Sequence, residues 1–441
     1  MAKGREGLPG KTFSVFHLCM MKYLSPRWAL APLSESAAVP DPSAVVAHRL
    51  PLGRRFPDVI AVGAFLKATV TVIRGDQAWI SRDPGNLDSP AAITAFEQTV
   101  EAMLALTGAE PVCIAHDLHP DFHSTRFATR FAAERGIPAL AIQHHLAHMG
   151  AVLGEHQRQE ATACVGLALD GFGLGPENAA WGGELLAVTP SSGAWLRHGG
   201  LAPLAQPGGD VAARQPWRMA LAALHRLGRA DEAVARFAGV TGSGGPKGVA
   251  LLLRMMEQGF NSPSTSSCGR LFDAACGLLG VLPIATFEGE APMALEKLAT
   301  AHPDVCLPAD PVWQVLADGS LSCDRLLDRL MALGCDASGA PLACSALPVE
   351  RQAAGAALFH RGLAEALVDW VMAQAPAPGT LVPLGGGCFF NTVLRSAVVA
   401  GLQGRGLTPL LPVALSPGDP AISFGQAWCA AAHWVAQRGK G

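Results

Sequence analysis

Three histidines within five residues are the first feature of this 441-residue chain that suggests chemistry. The segment AIQHHLAHMG, residues 141–150, carries His144, His145 and His148 in otherwise apolar surroundings. On a helix, His144 and His148 lie one turn apart on the same face, whereas His145 points about 100° away. Such a pair suits one divalent metal, although an isolated H-x-x-x-H is more often a surface or capping feature. The pair therefore needs a further ligand before the metal interpretation is preferred.

Two loop aspartates are candidates for that ligand. Asp170 ends the predicted strand VGLALD, at the carboxyl end where open α/β sheets bind ligands, and Asp419 precedes the last predicted helix. Two histidines with one or two carboxylates suit zinc or ferrous iron and leave a position open for substrate. Taken singly, each aspartate is more typical of a turn or a helix N-cap.

Three glycine-rich loops indicate a nucleotide site. They are LDGFGLG (169–175), AQPGGD (205–210) and LGGGCFFN (384–391). Glycine lets backbone amides approach a phosphate closely, and the last loop precedes a predicted helix whose N-terminus favours an anion. One such loop is equally typical of a tight turn, but the three together favour nucleotide binding.

A polar cluster follows a predicted apolar strand in CIAHDLHPDFHSTRFA, residues 113–128. Its titratable side chains include His116, Asp117, His119, Asp121 and Arg126. These groups offer cations for an acyl phosphate and acids or bases for proton transfer. The alternative is a solvated loop in which an aspartate acts as a cap.

The elements that must position these groups form an α/β pattern. From Asp58 the chain reads as strand, turn and strand, with RGD (74–76) as a tight turn, followed by a helix capped by Ser89 and Pro90. A strand, glycine-rich turn and strand recur from Ala161, which predicts two related lobes. We expect mixed β-sheets flanked by helices, with a helical insertion over 216–280 in the second lobe. The predicted boundaries are an irregular extension at 1–55, a first lobe at 56–158 and a second lobe at 159–441, whose final helix packs back toward the first.

Composition excludes several classes of function. Half of the residues are hydrophobic, 16% are charged and the formal net charge is −3, so no basic face is expected for nucleic acid. The apolar run near the N-terminus is short and broken by Lys22, and no apolar span is long enough for a bilayer. A cytoplasmic protein without a membrane partner is expected.

Eleven cysteines without a C-x-x-C pair argue against a zinc finger and a disulfide framework.

Several motifs together resemble the HypF-type carbamoyltransferases of nickel-iron hydrogenase maturation. In chain order they are GAFLKAT, IAHDLHPDFHSTRFA, QHHLAH, LALDG with WGGE, PWRMALA, SSCGRLFDA, FEGEAPMALE and LGGGCFFN, within residues 58–435. The resemblance implies a unit of two actin-like (ASKHA) lobes, similar to TsaD-type tRNA threonylcarbamoyl transferases. It implies that this unit passes a carbamoyl group from carbamoyl-adenylate to the C-terminal cysteine of HypE.

The resemblance also implies roles for particular residues. A divalent metal, zinc or iron, would be bound by His144, His148, Asp170 and Asp419. Lys67, His116 and Arg126 would serve the carbamoyl phosphate or adenylate end, and His145 would point toward substrate. ATP or carbamoyl-adenylate would contact the residues of the glycine-rich loops: Asp170, Gly171, Gly208, Gly209, Asp210, Gly386, Gly387 and Asn391.

The chain departs from the family pattern in two ways. Full-length members carry further domains before this unit, including a YrdC-like domain that makes carbamoyl-adenylate, so we expect this chain to lack that half-reaction unless a separate protein supplies the intermediate. The glycine-rich loops also differ: Phe172 stands where the family has threonine, Phe390 where it has glutamine, and Pro420 where it has glycine. Each lost hydrogen bond would weaken nucleotide binding by about 1 kcal/mol.

Other functions stay open. A degenerate paralogue would bind HypE or another maturation protein as a scaffold without turnover. A small-molecule O-carbamoyltransferase and a tRNA-modifying enzyme are disfavoured, because the HDLHP and GRLFDA segments resemble the hydrogenase-maturation family.

Overall fold

The computed structural model describes residues 41–161, 163–302 and 306–438, which form two compact units. Unit 1 consists of the described residues of 1–163, 188–196 and 412–441, and unit 2 of those of 164–187 and 197–411. The first forty residues of the predicted extension lie outside the described part of the chain.

The elements before residue 163 belong to unit 1. In chain order they are α1 (Pro42–Val45), β1 (Val46–Ala61), β2 (Thr71–Ser81), α2 (Pro90–Thr107), β3 (Cys113–Asp117), α3 (His123–Arg135), β4 (Ala139–Ile142) and α4 (His144–Glu155).

The remaining elements alternate strands and helices around a longer helical region. They are β5 (Cys164–Leu174), β6 (Ala180–Thr189), β7 (Ala194–Gly200), β8 (Leu204–Ala205), α5 (Asp210–Arg214), α6 (Pro216–Arg226), α7 (Ala233–Phe237), α8 (Gly245–Glu257), β9 (Ser264–Thr265), α9 (Cys268–Leu278), α10 (Glu290–Thr300), β10 (Gln314–Val315), β11 (Leu321–Ser322), α11 (Asp324–Leu333), α12 (Val349–Met372), β12 (Leu381–Gly385), α13 (Thr392–Gly404), β13 (Thr408–Leu410) and α14 (Ile422–Arg438). Short 3₁₀ turns precede α13 at Gly387–Phe390 and α14 at Asp419–Ala421. The predicted α/β class with a helical insertion is confirmed.

Two local predictions in unit 1 are wrong. Residues 46–55 are not irregular, because β1 begins at Val46 and pairs with β2, and Leu52 and Phe56 anchor this stretch in the core. The RGD segment is not a turn between strands, because β2 runs through it. Gly75 adopts φ 61° opposite Phe56, where the strand register shifts, so a bulge takes up the irregularity that suggested a turn.

The sheet of unit 1 has the strand order β2-β1-β3-β4. β1 is antiparallel to β2, while β1, β3 and β4 are parallel to one another. Helices α2 and α3 contribute Phe96 and Phe127 to a core shared with Ile60 and Ile114 of the strands. Since parallel strands end at one edge, β3 delivers Asp117 and β4 delivers the start of α4 to the same end of the sheet.

Helix α14 packs against α4 and against strands β1 to β3 of unit 1. The two helices approach closely because small residues meet at their crossing. A Cβ on Gly425 would overlap the carbonyl oxygen of Ala147, and one on Gly150 would lie 2.9 Å from the carbonyl oxygen of Gly425. This close packing places the turn before α14 beside the first turns of α4.

The main sheet of unit 2 has the order β13-β12-β5-β6-β9-β8, with β7 paired to β6. Strands β5, β12 and β13 are parallel neighbours, so the loops after β5 and β12 emerge at one edge. Trp217, Phe272, Phe359 and Trp370 fill a large core formed with the helices. Among the described helices, none combines the length and apolarity needed to cross a lipid bilayer.

Candidate functional site

Helix α4 presents two imidazoles on one face, as the sequence predicts. Gln143 caps the helix, because its side-chain oxygen accepts a hydrogen bond from the backbone N–H of Leu146 at 2.9 Å. The rings of His144 and His148 lie 5.0 Å apart between centroids, and both residues are buried. A capped helix start therefore fixes the pair in a site from which water is largely excluded.

Asp419 joins this pair in unit 1. Its Oδ1 lies 3.8 Å from Nε2 of His144, and its side chain is 21% exposed. One ligand atom each from His144, His148 and Asp419 lie within 4.8 Å of one another. Ligands of a tetrahedral zinc ion are roughly 3.3 Å apart, given metal–ligand bonds of about 2.0–2.1 Å. Two imidazoles and a carboxylate at this spacing fit a divalent zinc or iron ion after a small contraction.

Asp117, at the end of β3, orients the first of these histidines. Its Oδ2 lies 2.9 Å from Nδ1 of His144, and Asp117 is fully buried. A carboxylate only accepts hydrogen bonds, so Nδ1 of His144 is the donor. The proton on Nδ1 leaves Nε2 as the nitrogen that faces Asp419.

The GAFLKAT segment contacts the turn that carries Asp419 and holds it in place. The Thr69 hydroxyl donates to the carbonyl oxygen of Pro420 at 2.8 Å, and Ser423 links Thr69 at 2.7 Å to Thr71 at 2.8 Å. Gln426 of α14 pairs with both backbone groups of Gly63 at 2.9 and 3.1 Å. These hydroxyl and amide bonds fix the start of α14, and with it Asp419, against β1 and β2.

The residues predicted for the carbamoyl end lie in different environments of unit 1. Lys67 is exposed on the loop after β1 with φ 48°. His116 is buried in β3, and burial lowers its pKa although its contact with Asp117 partly opposes the shift. Arg126 is largely exposed on α3 and forms an ion pair with Asp121 at 2.7 Å. His145 is buried, and its Nδ1 accepts from the Gln143 amide at 2.9 Å.

In unit 2, two glycine-rich loops converge on Asp170. Oδ1 of Asp170 accepts from the backbone N–H of Gly171 at 2.7 Å and of Gly387 at 3.3 Å. Gly386 has φ 103°, and a Cβ there would overlap the backbone of Leu169. The loop after β12 therefore lies directly on the end of β5, a contact that only glycine permits.

Ser267 connects the SSCGRLFDA segment to the same loop. Its hydroxyl lies 2.6 Å from the carbonyl oxygen of Gly171 and accepts from the backbone N–H of Arg270 at 3.1 Å, which makes it the N-cap of α9. Ser266 beside it donates to Glu184, a fully buried carboxylate that pairs with Arg197 at 2.7 Å. Burial raises the pKa of Glu184, and Arg197 opposes the shift.

The other predicted nucleotide residues of unit 2 lie at the starts of helices α5 and α13. Gly208 and Gly209 have φ 92° and 57°, and Asp210 is exposed at the start of α5. Asn391 caps α13 by accepting from Leu394 at 2.9 Å, and its amide nitrogen contacts Nε2 of His360 at 2.9 Å. Both amide atoms of Asn391 are thus engaged inside the unit, which favours a structural role. The contact of these four residues with a nucleotide stays a prediction.

The altered loop residues are on the surface. Phe172 is 46% exposed and Phe390 is 54% exposed. These positions present apolar rings where the family pattern predicts groups that form hydrogen bonds.

Sequence reasoning missed the residues that act through another side chain. Thr69, Ser267 and Glu184 lie in the family motifs without a predicted role, and Asp117 was predicted only as one member of the polar cluster at 113–128. Their partners are distant in sequence: His144 follows Asp117 by 27 residues, and Pro420 follows Thr69 by 351. For Asp117 the available signal was a charged side chain at the end of an apolar strand, which alone does not identify the partner.

Two family descriptions match this chain. "HypF Kae1-like domain" matches residues 54–155, and "Carbamoyltransferase, Kae1-like Domain, second subdomain" matches residues 166–426. The chain is 45% identical to the carbamoyltransferase HypF homolog of Cupriavidus necator, over 87% of this chain and 94% of that relative. It is 43% identical to carbamoyltransferase HypF2 of the same organism and 38% identical to the HypF of Rhizobium leguminosarum bv. viciae. It spans about half of the latter two, 47% and 45% of their lengths.

Solved HypF structures share the fold. Full-length HypF in its phosphate- and nucleotide-bound form aligns with a TM-score of 0.71 and 24% identity, over 87% of this chain and 57% of that one. HypF from T. kodakarensis aligns with a TM-score of 0.74 and 22% identity, over 88% and 49%. This likeness shows that the chain shares the α/β fold of the solved HypF structures. Given the two matching domains and the nearly full coverage of a close relative, this chain belongs to the HypF carbamoyltransferase family.

Proposed function

We propose that this protein transfers a carbamoyl group from carbamoyl-adenylate to the C-terminal cysteine of a HypE-type protein, on the route to the cyanide ligand of the iron in nickel-iron hydrogenase. The relatives' designation as carbamoyltransferases supports the reaction class. The observation that carries the proposal is the cluster of His144, His148 and Asp419 in unit 1, in which both histidines are buried.

One divalent ion, zinc or iron, is the proposed resident metal. His144, His148 and Asp419 would bind it, with Asp170 as the fourth ligand that the family resemblance implies. When bound, such an ion supplies Lewis-acid stabilisation of negative charge on a carbamoyl or phosphate oxygen. The donor set leaves room for that role because three or four protein ligands need not fill the coordination sphere of either metal.

The proposed transfer is balanced without an oxidant. The acceptor thiolate attacks the carbamoyl carbon, a carbon–sulfur bond forms, and the bond from that carbon to the adenylate phosphate oxygen breaks. AMP leaves with the electron pair. Since a thiolate is already a strong nucleophile, the protein chiefly has to orient the two reactants and exclude water.

The chain's own groups have assigned tasks in this proposal. The backbone of Asp170, Gly171, Gly386 and Gly387 lies at one sheet edge of unit 2, where the absence of side chains on the glycines would let a phosphate approach closely. Binding of nucleotide by a HypF of the same fold supports a nucleotide ligand here. His116 is the proposed acceptor of the proton that the acceptor thiol loses when it becomes the thiolate, since burial lowers the pKa of His116 and favours the neutral ring. Lys67, Arg126 and His145 keep their predicted roles near substrate.

A reconstituted transfer assay tests the function. Metal-loaded protein is mixed with synthetic carbamoyl-adenylate and a HypE-type acceptor, and the intact mass of the acceptor is measured. We expect the mass of one carbamoyl group on the terminal cysteine and none on an acceptor whose cysteine is replaced by serine. With carbamoyl phosphate and ATP in place of the adenylate, we expect no transfer by this chain alone. Carbamoylation of a small alcohol but not of the acceptor would assign the O-carbamoyltransferase alternative.

A scaffold without turnover is the second candidate, and the exposed Phe172 and Phe390 favour it. Rings at these two positions remove hydrogen-bonding groups that the family pattern places in the nucleotide loops. The same assay separates the candidates when the binding of acceptor is measured in parallel. Retained binding with no carbamoyl transfer would assign the scaffold.

A further inference from the structure

We infer that Asp117 is a positioning residue that fixes the proton of His144 on Nδ1, so that Nε2 is the metal-binding nitrogen. The inference rests on the metal centre of the proposed function. The inference gives Asp117 of the HDLHP motif a specific role, the orientation of the His144 ring.

The geometry of the pair is tight and dry. Oδ2 of Asp117 and Nδ1 of His144 are 2.9 Å apart, and the side chains of the two residues are 1% and 4% exposed. Nε2 of the same ring points the other way, 3.8 Å from Oδ1 of Asp419. A neutral imidazole carries one N–H proton. A proton held on Nδ1 therefore leaves the free lone pair on Nε2.

Asp117 itself is held in place by its own loop. Its Oδ1 accepts from the backbone N–H of His119 at 2.9 Å, and its carbonyl oxygen accepts from the Thr125 hydroxyl at 3.2 Å. His116 contacts the same carbonyl oxygen through Nδ1 at 2.7 Å. The residues that follow β3 thus immobilise the carboxylate that aims the metal ligand.

Both carboxylate oxygens are therefore acceptors at once, and an amide cannot reproduce this. In Asp117→Asn one oxygen accepts, but the NH₂ group faces either the His119 N–H or Nδ1 of His144. In the second arrangement Nδ1 of His144 must become the acceptor, so its proton moves to Nε2 and blocks the metal-facing lone pair. In the first, the NH₂ group and the His119 N–H would be two donors facing each other and the loop would lose its bond, so we expect the second arrangement.

A purely structural role for Asp117 makes a different prediction. If the carboxylate served only the turn from Asp117 to His119, the Asn variant would lose stability without changing the histidine tautomer. The proton position in His144 therefore separates the two roles, and measuring it requires neither activity nor bound metal.

The first measurement is the tautomer of His144 in metal-free, full-length protein with ¹⁵N-labelled histidine. Long-range proton–nitrogen correlation spectra distinguish Nδ1–H from Nε2–H, and the signal that disappears in His144→Gln assigns the ring. We expect Nδ1–H in the wild type and Nε2–H in Asp117→Asn. An Nε2–H tautomer in the wild type would overturn the inference, and this result does not depend on whether Asp117→Asn folds.

The second measurement is metal affinity, by competition with a chromogenic chelator for zinc. Removing a residue that orients a metal ligand typically weakens binding about 10–100-fold, and we expect a loss in that range for Asp117→Asn. Asp58→Asn is the matched control, because Asp58 also accepts a backbone N–H, from Glu110 at 3.0 Å, but contacts no predicted ligand. Equal zinc affinity in Asp117→Asn and the control would contradict the inference. If carbamoyl transfer failed while the His144 tautomer and the zinc affinity changed as expected, the proposed function would be wrong and the role of Asp117 would stand.

Discussion

His144 is constrained from both sides of its ring. Asp117 binds Nδ1 and Asp419 faces Nε2, so one side chain links the end of β3 to the turn before α14. The sequence predicted the pairing of His144 and His148 because helical spacing is local. It did not predict Asp117, because a hydrogen bond across the edge of a sheet leaves no spacing rule. Candidate ligands were thus accessible from the sequence, whereas the residue that orients one of them was not.

The altered nucleotide loops give a prediction for single side chains. We expect the double variant Phe172→Thr, Phe390→Gln to bind an adenine nucleotide more tightly than the wild type. Each restored hydrogen bond contributes about 1 kcal/mol, so two correspond to a gain of roughly 30-fold in affinity. Isothermal titration with AMP measures it. Unchanged binding would show that the two rings lie away from the nucleotide site. Weaker binding would show that the rings themselves contribute to it.

A buried histidine of unit 2 predicts a pH dependence of stability. His360 is buried, its Nδ1 lies 2.7 Å from the carbonyl oxygen of Ala356, and burial lowers its pKa. Below about pH 6.5 the unfolded chain therefore takes up a proton that the folded chain resists, and stability falls as pH decreases. We expect the free energy of unfolding in urea to fall less between pH 7.5 and 5 in His360→Gln than in the wild type. Equal slopes would exclude His360 as the source.

At the scale of elements, the crossing of α4 and α14 positions the predicted metal ligands. The periodic helices and apolar strands of unit 1 were predictable because their patterns are local and strong. The extent of β1 was not predictable, because proline and arginine interrupt its apolar pattern. The bulge in β2 was not predictable either, because a glycine with positive φ is equally typical of a turn. The close approach of α4 and α14 was equally hidden, since glycine is uninformative inside a helical pattern.

Gly425→Ala tests this crossing. The added methyl group would overlap the Ala147 carbonyl oxygen, so the helices must separate. We expect a loss of about 1–3 kcal/mol in unfolding free energy and weaker zinc binding, because Asp419 moves with α14. Gly404→Ala at the end of α13 is the matched control, since nothing lies within 4 Å of its added Cβ. An equally small effect of both substitutions on stability and zinc affinity would contradict the role of the crossing.

At the scale of the whole molecule, family membership and the cluster of His144, His148 and Asp419 support the same proposal, metal-dependent carbamoyl transfer. The chain matches both Kae1-like domains of HypF, and the histidine pair predicted from spacing lies with Asp419 in unit 1. The α/β class followed from the alternation of strands and helices. The acceptor and the metal did not follow from the pattern, because both depend on groups outside the chain.

The most direct test of metal-dependent carbamoyl transfer is the single-turnover rate of acceptor carbamoylation before and after metal removal. We expect transfer to stop in chelator-treated protein and to return with about one equivalent of zinc or ferrous iron. His148→Ala should bind no metal and stay inactive after metal addition, whereas His156→Ala, at the end of the same helix, should recover like the wild type. Undiminished transfer by protein shown to be metal-free, or by His148→Ala, would contradict the account.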